Sequence, residues 1–184
     1  MKTKLLLAAL ACLSLIGAAY VRTSTATAQA KPVFTSRYTT LTKCGSGMTK
    51  KEEREAEKNG SDIPSKCKGL AGYSVDISYS ACSSSFNLTR GDESISLGMQ
   101  AIDWKQKTLE WRLADGKPFA VILRMYEYAG NDMCSTAGKI KGETLMVQGL
   151  KGFEHIEESV DARTPNANAK AREIADKGYA KPKA

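Results

Sequence analysis

Alternation of apolar and polar residues dominates the chain from residue 73 onward. Tyr73, Val75, Ile77 and Tyr79 alternate with Ser74, Asp76 and Ser78, the period-two pattern of a strand with one dry and one wet face. Phe86 and Leu88 continue it. Ile95, Leu97 and Met99 alternate with Ser94, Ser96 and Gly98, and Leu109, Trp111 and Leu113 alternate with Glu110 and Arg112. Phe119, Val121, Leu123 and Met125 share one face of 118–128, with Arg124 on the other, and 144–150 reads as a weaker final strand. The connections are short. Thr89-Arg90-Gly91-Asp92 and Ala114-Asp115-Gly116-Lys117 read as turns between strands; in the second, the Asp-Gly pair suits a tight hairpin because glycine takes positive φ cheaply. Pro118 is tolerated where a ladder is only beginning. The pattern predicts a mainly β fold with a C-terminal helix: an antiparallel meander forming a small sandwich or barrel, stapled by disulfides.

Two segments break the alternation. Residues 49–58 read TKKEEREAEK, with Thr49 and Glu52 spaced as a capping box. This helix is polar all round and can bury almost nothing. The second helix is expected over 164–177, with Thr164 as N-cap, Pro165 at the first position and Gly178 at the end. Ala167, Ala171, Ile174 and Ala175 form its apolar stripe, whose small residues suit close packing on a sheet. The last residues, 179–184, read as a flexible tail.

The N-terminus has a different grammar. Lys2 and Lys4 precede an uncharged run from Leu5 to Ala19, and a small polar stretch ends Ala28-Gln29-Ala30. That is a secretory signal, expected to be cleaved over residues 1–30, with Ala19 and Ala28 as alternative sites. The run is shorter than the ~20 residues that span a bilayer. No second apolar run follows, so no transmembrane segment is expected in the mature chain. Cys12 lies within the run rather than at its end, where a lipoprotein would need it. Residues 31–178 are expected to form one domain, exported to the periplasm or beyond.

Removing the signal changes the charge. The full chain has 27 Lys+Arg against 20 Asp+Glu. Residues 31–162 carry 18 of each, and the excess sits in the signal and in the tail from Arg163. A nucleic-acid partner, which needs a clustered basic face, is not expected. The four remaining cysteines, Cys44, Cys67, Cys82 and Cys134, read as disulfides in an exported chain. Of the three pairings, Cys44–Cys67 with Cys82–Cys134 is favoured, giving one local staple and one long-range tie. Zinc would want closer cysteine spacing or several histidines, and His155 is the only histidine. No metal or cofactor is expected.

The hairpin Glu110-Trp111-Arg112-Leu113 with Gly116-Lys117-Pro118-Phe119-Ala120-Val121-Ile122-Leu123-Arg124 resembles a segment of small exported bacterial proteins of unassigned function. Val160-Asp161-Ala162-Arg163, Asn166-Ala167-Asn168-Ala169 and Ala171-Arg172-Glu173-Ile174-Ala175-Asp176 resemble their C-terminal segment. The resemblance implies a bacterial envelope origin and no particular activity.

The candidate binding residues are Glu110, Trp111, Arg112 and Arg124. One reading puts Glu110, Arg112 and Arg124 on the hairpin's outer face as a recognition patch, since arginine captures carboxylate or phosphate bidentately. The other makes them outward charges that pair across strands. His155, among Glu154, Glu157 and Glu158, is the one candidate base for a small hydrolase. No G-x-S-x-G elbow accompanies it. Glu110 with Asp103 or Asp115 lacks a cleft legible in sequence, and Glu52, Glu53 and Glu55 lack a calcium-loop spacing. Arg90-Gly91-Asp92 is read as a turn rather than an adhesion motif. The expected function is therefore a non-catalytic binding module of the cell envelope, of which an inhibitor of a hydrolase is one form, with a protein or envelope polymer as partner. A small hydrolase using His155 and a structural envelope protein with a cationic tail are the alternatives.

Overall fold

Nine strands and two helices are formed by the residues that the computed structural model describes: 31–101, 105–129 and 140–181. The signal, Cys134, Asp103 and residues 182–184 lie outside them. In chain order the elements are β1 (Phe34–Thr40), α1 (Lys50–Lys58), β2 (Ser65–Lys68), β3 (Ser74–Tyr79), β4 (Ser83–Arg90) and β5 (Glu93–Ala101). They continue with β6 (Thr108–Ala114), β7 (Lys117–Tyr128), β8 (Ile140–Gly149), β9 (Glu157–Asp161) and α2 (Ala167–Tyr179). All pairings are antiparallel. Strands β2-β3-β4-β5 make one sheet, and β1-β6-β7-β8-β9 make the other. The result is a sandwich of two open sheets rather than a closed barrel.

Alternation explains the main core. Tyr73, Val75, Ile77, Phe86, Leu88 and Leu97 of the four-stranded sheet meet Leu109, Trp111, Leu113, Val121 and Leu123 of the five-stranded one. The five-stranded sheet is not wet on its other face. Ala114, Phe119, Ala120, Ile122, Leu145 and Val147 pack there with Ala167, Ala171 and Ala175 of α2. Strand β6 is therefore buried on both faces from Leu109 to Ala114.

The turn chemistry is as expected at Asp115-Gly116, where both residues have positive φ, 48° and 78°. Two bulges correct the alternation, and a third register shift, at Glu127/Tyr128, lies at the end of β7. Arg112 pairs with Ala120 and Leu113 with Pro118, so Phe119 is an extra residue and turns to the helix side. There it meets Phe34, Phe153 and Tyr179 instead of joining Val121 and Leu123. Asn87 pairs with Ser96 but Ser85 with Met99. Beyond this second bulge Met99 faces outward, 56 % exposed, while Gln100 is buried.

Helix α1 forms where its cap predicted it, and α2 departs from the expectation at both ends. Thr49 and Glu52 make a complete capping box, and α1 buries nothing. Helix α2 begins at Ala167 instead of Thr164, and Asn166, with φ of 57°, stands before it. Gly178 lies inside α2 rather than ending it, and Tyr179, expected in the tail, is its last residue. A Cβ at Gly178 would meet Ile156 Cγ1 at 2.6 Å, so this glycine is a packing requirement.

Cys44 and Cys67 form the expected local staple around α1. Cys82 is also disulfide-bonded; its expected partner, Cys134, is outside the described residues. Among the described residues no helix is long and apolar enough to cross a membrane.

Candidate functional site

The predicted hairpin residues separate by strand parity. Trp111 points into the sandwich, fully buried, and its indole Nε1 donates to Thr39 Oγ1 at 2.8 Å. Glu110 and Arg112 point to the opposite face, but α2 covers them. Arg172 grips Glu110 from Nε to Oε1 at 2.6 Å and from Nη2 to Oε2 at 3.2 Å. In the reverse sense, Arg112 grips Asp176 from Nε to Oδ1 at 2.7 Å and from Nη2 to Oδ2 at 2.6 Å. Ser36 of β1 joins the two forks. Its hydroxyl donates to Glu110 Oε1 at 2.6 Å and accepts from Arg112 Nη1 at 3.0 Å.

Two residues of strand rise about 6.6 Å, and four residues of helix rise about 6 Å. Positions 110 and 112 on β6 therefore match 172 and 176 on α2, and the pairs set the helix in register on the sheet. Burial alone would raise the Glu110 pKa. Hydrogen bonds from Arg172 and Ser36, with the Arg172 charge, outweigh it and hold the carboxyl below its ordinary value.

Arg124 behaves as a cross-strand partner, donating from Nη1 to Glu143 Oε2 at 2.6 Å. With Glu110, Arg172 and Tyr38 it lines a cleft of about 210 Å³ beside α2. Every charged side chain of this cleft is thus engaged within the fold. His155 is exposed, and its Nε2 lies 2.9 Å from the carbonyl oxygen of Gly178. Because a carbonyl only accepts, Nε2 carries the proton and caps the end of α2.

The open side of the sandwich differs. Strand β5 ends the four-stranded sheet, while the other sheet continues to β8 and β9. At its far end β5 lies against β7: the Tyr126 amide donates to Gln100 Oε1 at 2.8 Å. Beside β5 the sandwich-facing side of β9 has no cover among the described residues; Glu157, Ser159 and Asp161 are all exposed. The ledge and the β5 edge enclose a groove of about 540 Å³ lined by Ser96, Leu97, Gly98, Met146, Gln148 and Glu157–Ser159.

The β5 edge is chemically active. Arg90 pairs with Glu93 next to a two-residue turn. That pair exchanges both backbone hydrogen bonds, so alternation turns the amide and carbonyl groups of Ser94 and Ser96 away from β4. Among the described residues they make no backbone hydrogen bond to another segment. The turn beside them is held rigidly. Tyr73 donates to Glu93 at 2.8 Å, and the Arg90 guanidinium lies 4.2 Å from the Tyr73 ring centre. Burial first, and then the bond to Glu93, push the Tyr73 phenol up to about 12.

Sequence reasoning missed this groove. β9 buries only Val160, so it has no alternation to read, and an unmatched strand count is visible only once both sheets are assembled. Comparison of the chain with protein-family models, with curated proteins and with solved structures gave no match.

Proposed function

We propose that this protein is an exported, non-catalytic binding domain of the bacterial envelope, and that its partner docks on the open side of the sandwich. The observation that carries this reading is the edge of β5, unpaired among the described residues, standing beside a ledge formed by half-buried Met146 and Gln148 of β8 and exposed Glu157 and Ser159 of β9. Elsewhere the polar side chains that attract attention in the sequence serve the fold: Glu110 and Arg112 hold α2, Arg124 pairs with Glu143, and His155 caps α2. Export is supported by the N-terminal signal pattern and by the disulfides, which persist in oxidising compartments.

Site-specific photocrosslinking tests the reading. A photoreactive side chain at Ser159, on the ledge, should give a discrete adduct in envelope extracts. The same group at Lys170, on the exposed side of α2, should not. Equal adducts from both positions, or none from Ser159, would overturn the assignment.

A further inference from the structure

We infer that the open groove accepts one extended, cationic polypeptide segment as a fifth strand of the four-stranded sheet. The inference rests on the reading of the open side as the docking site and adds the chemistry of the occupant.

Strand addition needs a free edge, space beside it and a surface beneath. The backbone groups of Ser94 and Ser96 supply the edge, and adjacent strands lie about 4.8 Å apart. The ledge supplies the surface: Met146 and Gln148 of β8, and Glu157 and Ser159 of β9. The bulge opposite Phe86 twists β5 beyond Ser96. It confines pairing to the first half of the strand and so fixes where the segment ends.

Charge selects the segment. Glu157 faces the groove and forms no ion pair among the described residues, and no lysine or arginine lines the groove; beside Ser94 the adjoining hollow holds Arg90, paired with Glu93, and Lys151, together with Asp92 and Glu154. An incoming strand with lysine or arginine satisfies the Glu157 carboxylate. An acidic strand meets like charges across a short gap, which is destabilising.

Shape argues against a second copy. Edge-to-edge pairing of β5 with its counterpart would bring each molecule's β8–β9 ledge into the space of the other. One strand fits above the ledge; a whole sandwich does not. The ledge thus guards an edge that would otherwise invite indiscriminate pairing.

Peptide titration of the intact mature protein tests the inference. The probes are a short peptide of alternating valine and lysine and its valine–glutamate counterpart. The basic peptide should bind and weaken with added salt, and the acidic one should not. Ser96→Pro removes an edge N–H without touching the β4 ladder and should reduce affinity by about tenfold or more, with the thermal midpoint as the check on folding. Glu157→Lys should remove the preference for the basic peptide, a readout that a local distortion at Ser96 would not produce.

Equal binding of both peptides, or binding unchanged in both variants, would overturn the inference. So would a dimer in sedimentation that Ser96→Pro dissolves, which would make a second copy the occupant. Tighter peptide binding after deletion of residues 182–184 would do the same in favour of the chain's own tail. Failure of the peptides with persistent crosslinking from Ser159 would reject the cationic strand and leave the docking side standing.

Discussion

Ser36 is a small residue with a large bearing on the fold, because one hydroxyl connects β1, two charged residues of β6 and, through them, α2. The forks it joins are sheltered: the side chain of Glu110 is 9 % exposed and that of Arg112 is 11 %. Exposed ion pairs are worth about 0.2–1 kcal/mol, whereas charged hydrogen bonds in such shelter are worth about 1.5–3 kcal/mol. Glu110→Gln should therefore cost about 2 kcal/mol in denaturant unfolding, and adding Arg172→Gln should cost less than the sum of the singles. A strictly additive result would mean that the pair merely coexists. The Glu110 pKa is lowered on folding. Its contribution is therefore complete above the unfolded value of about 4.3 and is lost as pH falls through the folded value. The gap between wild type and Glu110→Gln should shrink in that acid window. The residue types at 110 and 112 stand out in the sequence, but not their partners. Arg172 and Asp176 lie more than sixty residues away, and a strand read alone cannot show that a helix will cover its wet face.

At the scale of elements, the local signals were mostly legible. The six alternating segments became β3 to β8, and the capping box and the Asp-Gly turn formed where expected. What escaped was set by tertiary contact. β1, β2 and β9 are short or expose both faces, and the two bulges are invisible without a partner strand. Helix α2 is the sharpest case. Glycine is ordinarily a helix stop, but Gly178 sits within the last turn because Ile156 occupies the space of its Cβ. Replacing glycine by alanine in an exposed helix interior gains about 1 kcal/mol. Here the sign should reverse. Gly178→Ala should destabilise by about 2 kcal/mol, the range of core overpacking, and Ile156→Val should cost less in that background than in wild type. A raised thermal midpoint in Gly178→Ala would show that α2 is not seated against Ile156.

For the whole molecule, the sandwich and its helix follow from patterning, but the mismatch of five strands against four does not. A groove left by unequal sheets is a property of the assembly. The order of pairing has a further consequence, in time rather than in space. Within the four-stranded sheet β2, β3 and β4 each pair with the next strand in the chain, while β1 pairs only with β6, Phe34 opposite Ala114 and Thr40 opposite Thr108. Contacts that close long loops form late. Pulse-labelled hydrogen exchange during refolding should find β3–β5 amides protected before those of β1, and simultaneous protection would contradict this order. A chain delivered across a membrane N-terminus first would hold β1 as a lone strand until β6 had followed it. That interval is when the protein would be most open to proteases and most in need of a chaperone.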